Sequence, residues 1–346
     1  MDPISQGAVG AAFAQSASSD NNIAKFALIG CLAGMAPDLD VLIQSRQDPI
    51  LFLEYHRQFT HSIMFAPVGA LLVALIVSPF FKRAMDFKTT YVASFFGYAS
   101  HGLLDACTSY GTQLFWPFSS ERIAWNNISI VDPLFTLPIL ILIITAIKTR
   151  KIIFSWIAVG WGASYLVLGL VQYDRAFSVA EKIAISRGHE ASRLTLKPSF
   201  GNLILWKSIY EHKDNYFVDA IRIVGSSTWC SGESIPKLNV DEHFPTLDQA
   251  SQQFTDIQRF LWFSQGYLGF DHSRGLVADI RYSMLPNDVT PMWGLQINQG
   301  APMNTHALWW AGRDVDLDQF NTFGSLLLGS SCHQELSTLG STVEQI

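Results

Sequence analysis

Nineteen consecutive residues without a charge, 63–81, constrain this chain more than any other feature. As a helix, such a run is long enough to cross the ~30 Å hydrocarbon core of a bilayer. Residues 152–171 add twenty more uncharged positions, with Trp156, Trp161 and Tyr165 as interfacial anchors. Three shorter apolar runs, 26–36, 89–104 and 133–147, accompany them. Each short run alone reads equally as a buried helix of a soluble core. Together the five predict a multi-pass α-helical membrane domain over residues 1–171.

Charge divides the chain at the same place. Residues 1–171 hold 10 Lys and Arg against 10 Asp and Glu, whereas residues 172–346 hold 13 against 19 and carry the whole net charge of −6. Charged residues are only 15% of the chain, below the roughly 25% of an ordinary soluble domain. Disorder, which needs low hydrophobicity and high charge, is excluded. A dedicated nucleic-acid binder needs a concentrated basic surface, and none is present.

Basic residues cluster at Lys25, at Lys82, Arg83 and Lys88, and at Lys148, Arg150 and Lys151. The positive-inside rule puts all three clusters in the cytoplasm. Five spans threaded on that rule place residues 37–60, 107–132 and everything after 171 on the opposite side. The start Met1-Asp2-Pro3 lacks the basic region of a cleavable signal, and 7–17 reads as a small-residue helix packed among the spans. Cys31 and Cys107 read as packing residues; Cys230 and Cys332 both fall in the non-cytoplasmic half and can pair if that compartment is oxidising, which their spacing does not decide.

Four stretches gather groups that bind metals: Pro37-Asp38-Leu39-Asp40, the block from His56 to Ser62, His101-Gly102-Leu103-Leu104-Asp105, and Asp132-Pro133. The topology just derived puts all four at the non-cytoplasmic ends of their helices, and they played no part in deriving it. Asp38, Asp40 and Asp132 each also read as turn or capping residues. His101 and Asp105 are harder to explain away. Their i, i+4 spacing sets them on one helix face, and an imidazole and a carboxylate in an apolar helix need partners. Histidines mixed with carboxylates suit zinc, manganese or iron better than calcium. Nucleophile-elbow, P-loop, dinucleotide-binding, His-Glu-x-x-His and Cys-x-x-Cys patterns are all absent.

These residues carry a family resemblance. The opening Met1 to Ala12, the Pro37–Asp40 block, His-Arg-x-x-Thr-His-Ser at 56–62, the His101–Asp105 block, Tyr110-Gly111-Thr112-Gln113 with Trp116-Pro117-Phe118, and Asp132-Pro133 together resemble the YdjM family. The likeness runs in order through residues 1–171. Asp279-x-Arg281-Tyr282 and Trp293-Gly-Leu-Gln296 look like segments of longer members. The family is described as LexA-regulated, inner-membrane, metal-dependent hydrolases. A bacterial inner-membrane protein and a hydrolase are therefore what the resemblance implies. A more distant likeness runs to zinc-dependent phospholipase C and P1 nuclease, where clustered His and Asp hold several metals. Many relatives have Thr-His where this chain has Ser5-Gln6, so Gln6 is expected to orient a ligand or water and not to bind metal itself.

Beyond residue 171 a small α+β domain is expected on the non-cytoplasmic side. Helices are predicted at 173–187 and 249–264, and a hairpin at 203–209 and 216–224 about the turn Glu211 to Asn215. Further strands are predicted at 275–284, 293–298 and 306–310, and a frayed tail over 325–346. Its histidines, His212, His243, His272, His306 and His333, show no ligand spacing.

The sequence thus predicts a metal-dependent hydrolase acting on a phosphoester or lipid-linked substrate, with membrane lipids as its surroundings. The expected ligands are Asp38, His61, His101 and Asp105, then Asp40 and His56. Zinc is the leading metal, with manganese or iron as alternatives. Arg57 and Asp40 are the expected catalytic groups, with Gln6, Thr60, Ser62 and Asp132 behind them. The alternative is a non-catalytic metal-binding membrane protein, a transporter or an envelope scaffold. A transporter should place its polar groups near mid-membrane; here they collect at span ends.

Overall fold

Asp2 starts the first helix. Its carboxylate accepts the N–H groups of Ile4 and Ser5, and Pro3 takes the first helical position, where a missing N–H costs nothing. The computed structural model describes residues 1–312, 317–330 and 334–335. Its N-terminal half is helical: α1 (Pro3–Ser16), α2 (Ile23–Met35), α3 (Leu51–Tyr55), α4 (Ala66–Phe81), α5 (Phe87–Cys107), α6 (Pro133–Thr149) and α7 (Ile153–Ser186). Two short 3-10 segments, Ala36–Leu42 and Phe59–His61, join them. Two compact units result. One comprises Met1–Ile43, Tyr55–Leu170 and Phe200–Asn202; the other comprises Gln44–Glu54, Val171–Ser199 and the described residues from Leu203 onward.

In the first unit α1 packs on α2, α5 and α6, and small residues set the spacing. A Cβ on Gly10 would lie 2.4 Å from the Gly30 carbonyl oxygen, so α1 and α2 touch backbone to backbone. Large apolar side chains are exposed along α4, α6 and α7, with Ile76 69% and Phe80 83% exposed and Leu137, Ile141 and Val167 beside them in kind. An apolar surface of this extent marks contact with another apolar phase.

The helices differ from the expected spans in length. Among the described residues, only α7 is by itself long and apolar enough to cross a membrane. The pair Leu51–His61 and Ala66–Phe81 makes a second if its 85° bend is counted within one span. Run 63–81 yields a 16-residue helix because Ile63 is turned aside, its N–H bonded to the Leu114 carbonyl. Pro37 ends α2 at thirteen residues. Polar positions from Thr89 to Asp105 dilute the hydropathy of α5. Run 152–171 and the helix expected at 173–187 are one 34-residue helix, α7. No breaker separates Val171 from Tyr173, and the stop comes at Gly188, whose positive φ closes the helix.

The second unit is built on antiparallel sheets. β1 (Arg193–Pro198), β2 (Leu205–His212), β3 (Asn215–Val224), β4 (Ser226–Pro236) and β9 (Gln334–Glu335) form one, in that order; β5 (Leu268–Asp271), β6 (Leu276–Asp279), β7 (Trp293–Gln296) and β8 (Leu308–Ala311) form the other. The predicted hairpin is present, with Lys213 and Asp214 between the paired His212 and Asn215. Helices α8 (Val240–His243), α9 (Gln252–Phe263) and α10 (Leu317–Leu328) complete the unit. Strand 275–284 is shorter than predicted, since Arg281 turns back to bond Asp279. Cys230 is disulfide-bonded. Cys332, its expected partner, lies outside the described residues, as do His333 and most of the 325–346 tail.

Candidate metal centre

Three segments of the first unit bring four side chains to one point. The 3-10 turn after α2 presents Asp38, the turn before α4 presents His61, and α5 presents His101 and Asp105. One ligand atom from each of the four lies within 4.8 Å of all the others. His61, His101 and Asp105 are buried, and Asp38 is partly exposed. His61 Nε2 is 3.4 Å from Asp38 Oδ1 and 3.2 Å from Asp105 Oδ2. His101 Nε2 is 3.5 Å from each of the same two oxygens.

The outer nitrogens fix which way each ring faces. His101 Nδ1 sits 2.6 Å from the Gly34 carbonyl, which can only accept, so Nδ1 carries the hydrogen. His61 Nδ1 faces Asp40 Oδ2 at 3.2 Å and Thr60 Oγ1 at 3.0 Å. Thr60 donates its own proton to Asp40 Oδ2 at 2.7 Å and therefore accepts from His61. With Nδ1 of each ring engaged outward, both rings turn Nε2 inward, and these two atoms are 2.9 Å apart. Two ring nitrogens at that distance, flanked by two carboxylates, are accommodated by a metal cation among them or by a proton that one ring shares with its neighbours.

Asp40 stands behind the four. Besides His61 and Thr60, it accepts from His56 Nδ1 at 2.7 Å and from the Arg57 backbone N–H at 2.9 Å. Burial alone would raise its carboxyl, but the His56 and His61 hydrogen bonds outweigh burial and hold it well below the usual range. Asp40 and His56, expected as further ligands, are thus engaged with each other and do not join the cluster. Burial also pushes His56 below the usual histidine range despite Asp40.

Arg57 lies at φ 66°, with Nε 3.1 Å from Asp105 Oδ2, a terminal nitrogen donating to Thr108 Oγ1 at 3.2 Å, and its guanidinium 4.7 Å from the centre of the Tyr110 ring. Gln6 donates to Asp105 Oδ1 at 2.8 Å, and the Met1 amino group bonds the same oxygen. Asp105 Oδ2, Arg57 Nε and Gln6 Oε1 are buried without a hydrogen-bond partner among the described residues. Ser62 Oγ accepts the Phe65 N–H at the entry to α4 and does not touch the histidines. Asp132 caps α6 through Leu134 and Phe135 and accepts from the Tyr165 hydroxyl, so its partners lie along α6 and α7.

Several members of this arrangement are backbone groups or tight approaches that no motif announces. The Gly34 carbonyl orients His101. Gly102 allows the loop to reach α5, since a Cβ there would lie 2.1 Å from the His61 carbonyl oxygen. Gly102 was visible inside His-Gly-Leu-Leu-Asp; its reason was not. Two histidines and two carboxylates, one of whose buried oxygens is met by Arg57 Nε but closes no hydrogen bond, fit a divalent transition ion. They could hold such an ion, and the donor set alone does not choose between zinc, manganese and iron.

A family model described as YdjM inner membrane protein matches residues 1–176. An uncharacterized protein, YfhP, of Bacillus subtilis (strain 168) is 31% identical over 116 residues, which is 33% of this chain and 35% of that protein. The match therefore spans about a third of that relative's length. No solved structure matches the chain.

Proposed function

Because this chain belongs to the YdjM family of inner membrane proteins, we propose that it is a membrane-bound metal-dependent hydrolase. The observation that carries the reading is the facing pair of histidine Nε2 atoms, each with its far nitrogen already hydrogen-bonded. Asp38, His61, His101 and Asp105 hold the ion, zinc by first preference. A divalent ion there supplies Lewis acidity and lowers the pKa of a bound water toward ~7.

The chain's own groups do the rest. Asp40, through His61, is a positioning residue, and so is Thr60. The Arg57 guanidinium stands beside Asp105, placed to offset negative charge gathering on a phosphoryl or carbonyl oxygen. Asp38, the most exposed of the four, marks the side from which substrate and water arrive. The five apolar helices sit in the bilayer with the site at its non-cytoplasmic face, and the second unit lies on that side. Loop charges support this topology, as do the exposed apolar faces of α4, α6 and α7. A site at headgroup depth suits a phosphoester or lipid-linked substrate.

One observation favours a scaffold held together without metal. Arg57 and the Met1 amino group already neutralise Asp105, as they would in a network that only ties helix ends together. Elemental analysis of the detergent-purified protein beside His61→Ala and Asp105→Ala separates the two readings. Stoichiometric metal lost in both variants, followed by metal-dependent cleavage of a phosphodiester or phospholipid, supports the hydrolase. Protein that stays metal-free after incubation with each ion overturns it.

A further inference from the structure

An apolar slot of about 180 Å³ opens within the first unit between α1, α5, α6 and α7. Val9 and Phe13 line it from α1, Leu103 and Cys107 from α5, Ile139 from α6 and Gly162 from α7. No charged side chain takes part. The Ser100 hydroxyl, in the same wall, is committed to the Gly97 carbonyl at 2.8 Å. The wall offers a ligand nothing but hydrocarbon contact. An engineered apolar cavity of about 150 Å³ takes up benzene and excludes water, so this volume accommodates a run of several methylenes.

Two features say what enters. Phe13, Leu103 and Trp125 line the slot and are themselves exposed, so its rim opens on the apolar outer surface. One wall belongs to α7, the helix long and apolar enough to cross a membrane. In a member of an inner-membrane family, a rim on that helix faces lipid hydrocarbon.

On α1 the slot begins one helical turn from a residue that bonds the metal cluster. On α5, at roughly 100° per residue, Leu104 is the lining residue nearest the face of His101 and Asp105, while Leu103 and Cys107 lie toward the opposite side of the helix. On α1, Gln6 bonds Asp105 and Val9, three residues on, begins the slot, which then runs to Phe13. Seven residues of helix carry it roughly 10 Å from the cluster.

We propose that this slot binds one hydrocarbon chain of a bilayer lipid, leaving the lipid's polar head at the His–Asp cluster. That the chain is the tail of a substrate rests on the hydrolase reading; that the slot takes a chain does not.

The test places the full chain in nanodiscs of phosphatidylethanolamine and phosphatidylglycerol containing a phosphatidylethanolamine with a mid-chain diazirine. After irradiation, adducts are mapped by mass spectrometry and metal content is read on the same sample. The comparison variant is Gly162→Leu. A Cβ at Gly162 meets Ile139 and Phe135 at 3.6 Å, ordinary contact, so a larger side chain grows into the slot without striking backbone. Ala163→Phe, from the same wall, serves if Gly162→Leu does not fold. Adducts concentrated on residues 100–107 and 158–166 are expected, falling about tenfold in the filled variant. Adducts on the exposed α4 face at Leu75, Ile76 and Phe80 should be unchanged.

Labelling of the slot no denser than that of the α4 face, or indifferent to both variants, overturns the proposal. Metal-free protein that labels the slot upholds the binding site and removes the hydrolase reading. Metal-loaded protein that labels evenly does the reverse.

Discussion

His61 and His101 aim their Nε2 atoms at each other across 2.9 Å, and neither ring can turn away. The Gly34 carbonyl holds one by Nδ1, and Asp40 with Thr60 holds the other. In water two neutral imidazoles have no reason to meet nose to nose. In this chain the backbone carbonyl and the buried carboxylate enforce the meeting, and two further carboxylates complete it. The orientation of both Nε2 atoms therefore comes from groups outside the cluster, as in sites where second-layer hydrogen bonds set ligand orientation and basicity.

Asp40→Asn tests that arrangement without touching a ligand. The amide keeps the size of the carboxylate but weakens its hold on His61 Nδ1–H. Metal affinity should fall about 10–100-fold, the usual effect of losing such an outer partner, with the fold retained. Competition against a chelator of known affinity reads the change. Metal affinity equal to wild type would remove Asp40 from any positioning role.

Metal retention should also depend on pH in a fixed direction. Histidine binds metal only when Nε2 is free of a proton, so acid competes with the ion and metal is lost as pH falls. Equilibrium dialysis of the wild type across mildly acidic to neutral pH should show affinity rising with pH. A flat profile would mean that the histidines are not ligands.

Gly102→Ala should break the site by sterics alone. The added Cβ would lie 2.1 Å from the His61 carbonyl oxygen, far inside contact distance, and that obstacle is backbone. Either α5 shifts or the turn bearing His61 does, and each separates His61 from His101. Both a lower melting temperature and reduced metal content are expected. Unchanged values for both would show that the turn is not held against α5 as described.

What the sequence disclosed follows from how local each signal is. His101 and Asp105 could be read because an i, i+4 spacing fixes a face whatever the rest of the fold does. Asp38 and His61 stood in recognisable blocks at helix ends. Asp40 stood in one of them too, but its choice between ligand and orienter depends on the distance to His61, set by packing of α2 on α5. The Gly34 carbonyl has no side-chain signature at all. Span lengths failed for a related reason: hydropathy measures where charges are missing, not where Pro37 or the Ile63–Leu114 hydrogen bond ends a helix. Strand β4 went unseen because its Ser, Gly and Cys residues lack β-propensity and gain their order from β3.

The second unit holds segment Gln44–Glu54 through one arginine. Arg259 bonds Asp48 at 2.8 Å, Glu54 at 2.5 Å and Asp256 at 3.0 Å, and Asp256 is fully buried. Arg259→Met leaves those carboxylates without their cation, and loss of one partner of a buried pair costs about 3–5 kcal/mol. Partial exposure of Arg259, Asp48 and Glu54 to solvent places the expected loss near or below the lower figure. Limited proteolysis should cut at 44–54 in the variant first. Equal protection of that segment in both proteins would show that Phe52, packed edge-on against Trp309, suffices to hold it.

Lys207 gives the second unit a pH dependence of defined sign. Its ammonium is buried on β2, donating to Ser283 Oγ at 2.6 Å and to the Asp288 carbonyl at 2.8 Å. Burial lowers its pKa to about 7, overcoming the opposing pull of Asp288, Asp279 and Glu233. An unfolded lysine keeps a value near ~10.4. Between those two values the unfolded chain binds more protons than the folded one, so unfolding free energy rises with pH. Below about 7 both states are protonated, the slope vanishes, and the cost of burying the charge is fully present. Across the window the gain from this residue is on the order of a few kcal/mol. Denaturant melts of the full chain, followed by tryptophan fluorescence, should therefore show stability climbing from neutral pH toward pH ~10. Lys207→Met keeps the side-chain length and cannot titrate, so it should lessen that climb, leaving the part due to Lys197, whose pKa burial also lowers, and raise stability most at neutral pH and below. A wild-type profile that falls over the same interval, or a variant that keeps the full slope, would mean that the Lys207 ammonium is solvated and not buried against Ser283.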